Sequence, residues 1–188
     1  GLRVSVSGAA IEAQYAVEKA MALGAKVVTV SDSSGTIVDE SGFTPDKLAI
    51  LMDVKNHHYG RVADYAARTG VRFEAGKRPW HIPVDIALPC ATQNELDGDD
   101  ARTLIQNGVL CVSEGANMPS TIEAAKAFEA AGVLYAPGKA SNAGGVATSG
   151  LEMSQNAMRL SWTREEVDAR LLQIMQGIHA ACVKYGKR

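Results

Sequence analysis

The sequence predicts one α/β domain with a Rossmann-like, doubly wound and mostly parallel sheet that carries helices on both faces. Short β-branched segments alternate with helical segments along all 188 residues, as in parallel sheets joined by right-handed crossovers. Several of the strands are followed by small and polar residues, at the position where open α/β sheets bind ligands. The chain has no internal repeat or long linker, so residues 1–188 are expected to form a single domain.

The first βαβ unit has the clearest pattern. Arg3–Ser7 is predicted as a buried strand, Ala13–Leu23 as a helix that stops at Gly24, and Lys26–Val30 as the second strand. The β-branched residues of the second strand favour a parallel strand buried on both faces. The strand leads to Asp32, which is therefore expected at the carboxyl edge of the sheet.

The rest of the chain continues the alternation, with boundaries set by capping residues, glycine stops and apolar runs. The further predicted strands are 35–38, 84–88, 109–112 and 133–136. The further predicted helices are 44–56, 62–69, 101–107, one that opens at the capping box of Ser120 and ends at Gly132, and one that opens at Thr163. The segment 138–146 is expected to be a glycine-rich ligand loop. Apolar residues recur at helical spacing in the last helix and are expected to pack in the core: Val167, Leu171, Ile174, Met175 and Ile178.

The turn between the first strand and the first helix is of the kind that binds a dinucleotide pyrophosphate. In the pattern G-x-G-x-x-G/A, the first glycine makes the turn, the second lets the phosphates approach, and the third position lets the helix pack near the strand. Gly8 and Ala13 fill the outer positions, whereas Ala10 stands in the middle one. The strand before the turn and Asp32 after the next strand favour a cofactor loop.

Composition argues against several classes of partner. The formal net charge is only -2, with both signs spread along the chain, which gives no electrostatic reason to expect nucleic acid or an anionic membrane. No apolar run approaches the roughly 18 to 20 residues that span a bilayer, and no signal-peptide pattern is present, so a cytoplasmic location is expected. Cys90, Cys111, Cys182 and the pair His57-His58 lack metal-site spacing, so no metal is expected.

Four stretches, in this order, carry a resemblance to a known family: Ser31–Gly35 (SDSSG), Pro89–Leu96 (PCATQNEL), Glu114–Pro119 (EGANMP) and Pro137–Asn156 (PGKASNAGGVATSGLEMSQN). Together they resemble the coenzyme-binding domain of bacterial NADP-dependent glutamate dehydrogenases, over essentially all 188 residues. The resemblance implies interconversion of L-glutamate and 2-oxoglutarate with ammonia and NADP(H), in a hexamer. The doubly wound fold predicts the sheet order 3-2-1-4-5-6, and the resemblance implies that one strand is reversed.

The family's substrate domain and its closing C-terminal helix have no counterpart in these 188 residues. Because the family's catalytic residues lie in the substrate domain, the resemblance assigns no catalytic residue here. The domain alone is expected to be inactive and to be a monomer or a weak dimer.

The resemblance assigns the adenosine end of the cofactor site to four residues. Asp32 and Ser33 match the adenosine-ribose end, and Lys55 and Arg61 match cations near a 2′-phosphate. A phosphate favours positive charge and hydroxyl donors, so Ser33, Lys55 and Arg61 favour NADP over NAD. Asp32 alone would favour a free ribose diol.

The resemblance assigns the nicotinamide half to three loops, with the matching residues Ala91, Thr92, Gln93, Asn117 and Asn142. Val146 and Ser149 match the family's contacts to the glutamate side chain. A serine at position 149 suits the distal carboxylate of glutamate better than the side chain of leucine or phenylalanine.

The pyrophosphate turn, matched by Gly8, Ala9, Ala10 and Ile11, departs from the family's usual S-G-S-G-N-V-A. Ala10 replaces a glycine, Ile11 replaces a polar asparagine, and Glu12 adds a carboxylate where phosphate would bind. If Ala10 adopted a positive φ, the cost would be on the order of 1 kcal/mol. These changes favour helix over phosphate binding, so NADP binding is expected to be impaired, as in an engineered or cofactor-impaired domain. The alternative is a Rossmann-like scaffold or binding module without a dinucleotide.

Each assigned residue also has a structural interpretation. Asp32 at a strand end is compatible with a purely structural role, and Lys55 and Arg61 with ordinary surface charges. The two asparagines are compatible with amides that satisfy loop backbone groups. Ser149 is compatible with a helix cap.

Overall fold

A computed structural model describes residues 1–186 as a seven-stranded sheet in the order β4-β3-β2-β1-β5-β6-β7. The strands are β1 (Arg3–Val6), β2 (Lys26–Asp32), β3 (Gly35–Val38), β4 (Arg72–Ala75), β5 (Ile86–Leu88), β6 (Cys111–Ser113) and β7 (Leu134–Ala136). The helices are α1 (Ile11–Ala22), α2 (Pro45–Met52), α3 (Val62–Thr69), α4 (Gly98–Gln106), α5 (Ile122–Ala130), α6 (Gly138–Ser141), α7 (Gly144–Met158) and α8 (Arg164–Tyr185).

The sheet confirms the doubly wound, mostly parallel α/β fold. Strand β1 lies at its centre, parallel to β2 on one side and to β5 on the other. The chain builds one half of the sheet outward from β1 to β4 and the other half from β5 to β7. The point between β1 and β5 is therefore the topological switch point, where open α/β sheets form their ligand crevice.

The reversed strand is β3, which pairs antiparallel with both β2 and β4. The six predicted strands lie in the expected order, but the sheet has a seventh strand, β4, that the sequence pattern did not predict. This strand is at the edge of the sheet, it pairs only with β3, and its Arg-Phe-Glu-Ala sequence has no fully buried residue. A partly exposed edge strand has neither the apolar run of a central strand nor a clear alternation.

Helices cover both faces of the sheet, and consecutive residues of β2 point into separate cores. Val27 packs on one face, in a core formed with side chains of α1, α2 and α3, including Val17 of α1. Val28 packs on the other face, in a core formed with Leu104 of α4 and Phe128 of α5. A central strand that is buried on both faces needs an unbroken apolar run, which Val27, Val28 and Val30 supply.

Several boundaries differ from prediction because of capping. Helix α4 begins at Gly98, earlier than expected, because the Asp97 carboxylate accepts a hydrogen bond from the N–H of Asp100. Helix α5 is capped by Thr121, whose hydroxyl accepts a hydrogen bond from the N–H of Ala124, so the expected cap at Ser120 is wrong and the actual cap is the next residue. The expected loop at 138–146 is instead α6 and the first turn of α7.

The last two helices do not enter the core. No residue of α7 or α8 is buried, and the expected core stripe of α8 is half-buried or exposed. Leu171 and Met175 pack beside Gly144 of α7, which accounts for their partial burial. Large apolar side chains remain exposed on both helices, including Val146 and Leu172. Within residues 1–186, no helix has the length and apolar character needed to cross a bilayer.

Candidate functional site

The first turn is held in a conformation that requires glycine at position 8. Gly8 has φ of +82°, and a Cβ on it would lie 2.7 Å from the carbonyl oxygen of Cys90. Its N–H donates to Ser31 Oγ at 3.1 Å, and its carbonyl oxygen accepts from the N–H of Ser31 at 3.2 Å. The turn is therefore fixed between β2 and the loop after β5, directly above the switch point.

Ala10 is the N-cap of α1 and has φ of -80° and ψ of -177°. This extended conformation suits any residue, so the backbone strain considered above for a positive φ at Ala10 does not arise. The alanine side chain makes no capping hydrogen bond. The N-terminus of α1 points its positive dipole end into the crevice, as an anion site requires.

Glu12 crosses this crevice. A Cβ on Gly115, in the loop after β6, would lie 2.6 Å from Glu12 Oε1 and 2.6 Å from Cys90 Sγ. The Glu12 carboxylate therefore reaches from the first turn of α1 to the opposite wall. Glu12 is exposed as a whole residue, but partial burial of its carboxylate raises the pKa of that group above its ordinary value.

Gln14 is a turn-supporting residue that the sequence analysis missed. Its Nε2 donates to the carbonyl oxygen of Ala9 at 2.9 Å and to Asn56 Oδ1 at 3.1 Å, and its Oε1 accepts from Asn56 Nδ2 at 3.0 Å. The side chain is only 3% exposed. The sequence gives one indication of this role: Gln14 is a polar amide at one of the inward-facing positions of α1, where the other residues are apolar.

Asp32 is fully engaged by protein donors. Its Oδ1 accepts from the N–H of Ser34 at 2.8 Å and from Ser34 Oγ at 2.6 Å, and its Oδ2 accepts from Lys55 Nζ at 3.0 Å and from the N–H of Val62 at 2.9 Å. Burial alone would raise the pKa of Asp32, but the hydrogen bonds from Ser34, Val62 and Lys55 outweigh it and hold the pKa below its usual range. The carboxylate has a structural role whatever else it does.

Lys55 and Arg61 occupy different environments. Lys55 lies on a π-helical turn, Asp53–His57, that continues α2, and its Nζ also donates to the carbonyl oxygen of Gly60 at 2.9 Å. Its charge is thus largely neutralised by Asp32. Arg61 is exposed, and its Nη1 donates to Ser33 Oγ at 2.7 Å, which leaves further guanidinium donors at the end of β2. A guanidinium beside a hydroxyl is a suitable site for a phosphate.

The loop after β5 presents Ala91, Thr92 and Gln93 at the surface, while Cys90 behind them is buried. Burial and then the nearby Glu12 and Glu95 carboxylates raise the pKa of Cys90 to about 12. A thiol in this state is protonated at neutral pH and is a poor nucleophile.

The loops after β6 and β7 are joined by Glu114, which is 3% exposed. Its carboxylate accepts from the N–H of Gly138 at 2.6 Å and from the hydroxyl of Tyr135 at 2.7 Å. Asn142 Nδ2 donates to the carbonyl oxygen of Ala116 at 3.1 Å, so this amide supports the backbone beside it, whereas Asn117 is exposed.

Val146 and Ser149 lie on α7, outside the hydrogen-bond network that joins the other loops. Val146 is 79% exposed, and Ser149 Oγ bonds within its own helix, to the carbonyl oxygen of Gly145 at 3.3 Å. Ser149 lies within α7, so it is not a helix cap. Hydrogen bonds between neighbouring loops bring together the assigned residues that follow β1, β2 and β5. The loop after β6 joins this group, because the N–H groups of Gly115 and Ala116 donate to the carbonyl oxygen of Pro89 at 2.9 Å, and Asn142 connects the loop after β7 to Ala116. Among residues 1–186, no cluster of three His, Cys, Asp or Glu side chains is arranged to hold a metal ion.

Known proteins resemble the whole chain. The family model for glutamate/leucine/phenylalanine/valine dehydrogenase matches residues 1–188. An NADP-specific glutamate dehydrogenase of Salmonella typhi is 69% identical over 186 residues, which cover 99% of this chain and 42% of the relative. The Escherichia coli K12 enzyme of the same name is 66% identical over the same shares.

Solved structures of glutamate dehydrogenases also resemble this chain over nearly all of its length. A Plasmodium falciparum glutamate dehydrogenase superposes with a TM-score of 0.90 at 45% identity, over 96% of this chain and 39% of that one. A hetero-hexameric glutamate dehydrogenase from Thermus thermophilus superposes with a TM-score of 0.77 at 25% identity, over 98% of this chain and 41% of that one. The chain therefore spans about two fifths of the length of these relatives.

Proposed function

Because this chain belongs to the glutamate/leucine/phenylalanine/valine dehydrogenase family, we propose that it is the NADP(H)-binding domain of a glutamate dehydrogenase. The longer enzyme would convert L-glutamate, NADP+ and water to 2-oxoglutarate, ammonia and NADPH. The observation that carries the proposal is the crevice at the switch point, where the Gly8 turn, the N-terminus of α1 and the pair of Ser33 and Arg61 lie along one edge of the sheet.

The adenosine end supports NADP over NAD. A free ribose diol is bound best by an acid with acceptor positions to spare, but both Asp32 oxygens already accept two hydrogen bonds each. Ser33 and Arg61 instead offer a hydroxyl and a guanidinium at the surface. These donors suit a 2′-phosphate, so we assign the phosphate to Ser33 and Arg61, with Lys55 as a more distant cation held by Asp32.

The loops that follow β5, β6 and β7 would position the nicotinamide half of the cofactor. The bound cofactor supplies hydride transfer, and the protein contributes orientation and a defined electrostatic environment. The residues proposed for this task are Ala91, Thr92, Gln93, Asn117 and Asn142. Val146 and Ser149 would contact the glutamate side chain.

The domain would have no dehydrogenase activity alone, because no catalytic residue is assigned within it. The exposed apolar side chains of α7 and α8, such as Val146 and Leu172, support packing against another part of a longer protein. The chain alone is proposed to be a monomer or a weak dimer, and the longer protein a hexamer. Appreciable glutamate-dependent reduction of NADP+ by residues 1–188 would contradict the assignment.

The first turn is proposed to weaken cofactor binding in two ways: it places a negative charge near the phosphates, and it lacks a polar side chain at position 11. Backbone strain at Ala10 does not contribute, but Ile11 offers no polar side chain, and the Glu12 carboxylate lies across the crevice that phosphates would enter. This observation favours a second candidate function, a Rossmann-like scaffold or binding module that has lost its dinucleotide.

Calorimetric titration with NADPH and NADH distinguishes these candidates. The proposal predicts weak but saturable binding of NADPH and weaker binding of NADH, because only NADPH carries the 2′-phosphate. Absence of binding by both at millimolar concentrations would favour the scaffold. Equal affinity for both would contradict the assignment of Ser33 and Arg61, and tight NADPH binding would contradict the impaired turn.

A further inference from the structure

Glu95 is a buried carboxylate in the loop between β5 and α4 to which nothing above assigns a function. It is only 6% exposed. Its Oε1 accepts hydrogen bonds from Ser7 Oγ at 2.8 Å, from the N–H of Ala91 at 2.9 Å and from the N–H of Thr92 at 3.4 Å. One oxygen atom thus joins the end of β1 to the loop that follows β5.

Ser7 completes the connection across the switch point. Its hydroxyl donates to Glu95 and accepts from the N–H of Cys90 at 2.9 Å, and its own N–H donates to the carbonyl oxygen of Leu88 at 3.2 Å. The two walls of the crevice are therefore held together by side-chain hydrogen bonds that begin where the backbone pairing of β1 and β5 ends.

The backbone of Glu95 is itself fixed. Its carbonyl oxygen accepts from the indole N–H of Trp80 at 3.3 Å and from the guanidinium of Arg78. Trp80 is fully buried in the core on one face of the sheet. Burial raises the pKa of Glu95, and the hydrogen bonds from Ala91, Ser7 and Thr92 oppose that rise. Oε1 can accept these bonds in either protonation state of the carboxyl group.

We propose that Glu95 is a positioning residue that holds the Ala91–Gln93 loop against the first turn and so sets the width of the dinucleotide crevice before the cofactor binds. A loop that is ordered in advance lowers the conformational cost of binding. The identity of the ligand rests on the function proposed above, whereas the connection between the two walls does not.

Amide hydrogen exchange tests the connection without any ligand. Glu95→Ala removes the acceptor, and we expect exchange at the N–H groups of Ala91 and Thr92 to become faster by about tenfold or more. Glu95→Gln keeps an oxygen in the same place and should retain the protection. Glu114→Ala is the matched control, because it removes an equally buried carboxylate and should expose the N–H of Gly138 while leaving Ala91 and Thr92 protected.

If Glu95→Ala does not fold, Ser7→Ala provides the test, because it removes only the hydroxyl. Faster exchange at the N–H of Cys90, which donates to that hydroxyl, is then expected, together with faster exchange at Ala91. Unchanged exchange at Ala91 and Thr92 in a folded Glu95→Ala variant would overturn the proposal. Unchanged exchange at Cys90 and Ala91 in Ser7→Ala would overturn it equally.

A titration with NADP+ tests the consequence for binding. We expect Glu95→Ala to raise the dissociation constant for NADP+ about tenfold. Glu95→Gln should have nearly the same dissociation constant as the starting chain. The control Glu123→Ala removes an exposed carboxylate that pairs with Arg102, and it should bind as the starting chain does. Unaltered affinity in Glu95→Ala would contradict the positioning role. If no variant binds NADP+, the proposed function fails, and the exchange measurements still decide whether Glu95 joins the two walls.

Discussion

Lys55 Nζ donates a hydrogen bond to Asp32 Oδ2 at 3.0 Å, so the acid at the end of β2 is already bound to a cation. In this position a carboxylate would ordinarily bind a ribose diol. The pair instead leaves Arg61 and Ser33, which meet at 2.7 Å, as the exposed polar groups beside it. Cofactor preference is therefore expected to depend on Arg61 more than on Lys55.

Replacing Arg61 with alanine should weaken NADPH binding by roughly ten- to a hundredfold, the typical value of a charge-assisted hydrogen bond. Binding of NADH should change little, since it has no phosphate at this position. Calorimetric titration with both cofactors provides the measurement. Arg68→Ala is the control, because Arg68 is an exposed arginine of α3 that pairs with Asp53. An equal loss of affinity for both cofactors in Arg61→Ala would show that Arg61 does not bind the 2′-phosphate.

Gly8→Ala should destabilise the fold by about 1–3 kcal/mol, because it combines a positive φ with a close backbone contact. Gly24→Ala is a matched control: its φ is +81°, but a Cβ there has no atom within 4 Å. The free energy of unfolding of that variant should fall only by the cost of the left-handed backbone conformation, about 1 kcal/mol. Urea denaturation measures both free energies of unfolding. Similar losses in the two variants would mean that the contact with Cys90 is unimportant.

Glu12→Gln should change how stability depends on pH. Burial raises the pKa of Glu12 in the folded chain, so the folded state binds more protons than the unfolded state above the ordinary value of 4.5. The contribution of Glu12 to the free energy of unfolding is therefore greatest below that pH and declines as pH rises through the raised pKa. The glutamine variant should lack this decline and be slightly more stable at pH 7, with a small difference because solvent screens an exposed residue such as Glu12.

Thermal denaturation between pH 4 and pH 8 measures this difference. Glu18→Gln is a suitable control, because Glu18 is an acid of the same helix that lies beyond its first turn. If stability declines with rising pH by the same amount in Glu12→Gln and in the starting chain, the Glu12 carboxylate does not lie in the crevice.

The features that the sequence predicts correctly are those that local residue patterns determine. The β-branched run of β2 is buried on both faces, and Gly70 ends α3 in the left-handed conformation. The last helix opens at Thr163 as expected, where Thr163 and Glu166 form a capping box. Each of these features depends on residues a few positions apart. The doubly wound fold followed from their order along the chain.

The failures concern features that depend on distant partners. The edge strand β4 becomes a strand only because β3 is available to pair with it. The apolar stripe of α8 has the spacing of a core helix, but within residues 1–186 this helix packs mainly against α6 and α7, at the surface. Glu95 lies 88 residues from Ser7 in the sequence, so no spacing rule could have joined them. The extended backbone of Ala10 likewise could not be derived from its identity.

Whether the first turn weakens an NADP(H) site is decided by calorimetric titration of NADPH into the starting chain and into a variant with the turn changes Ala10→Gly, Ile11→Asn and Glu12→Val. We expect the variant to bind NADPH about tenfold more tightly or better, because it removes a carboxylate from the crevice and restores a polar side chain at position 11. Equal affinity of the two chains, or no binding by either, would contradict an NADP(H) site weakened at its first turn.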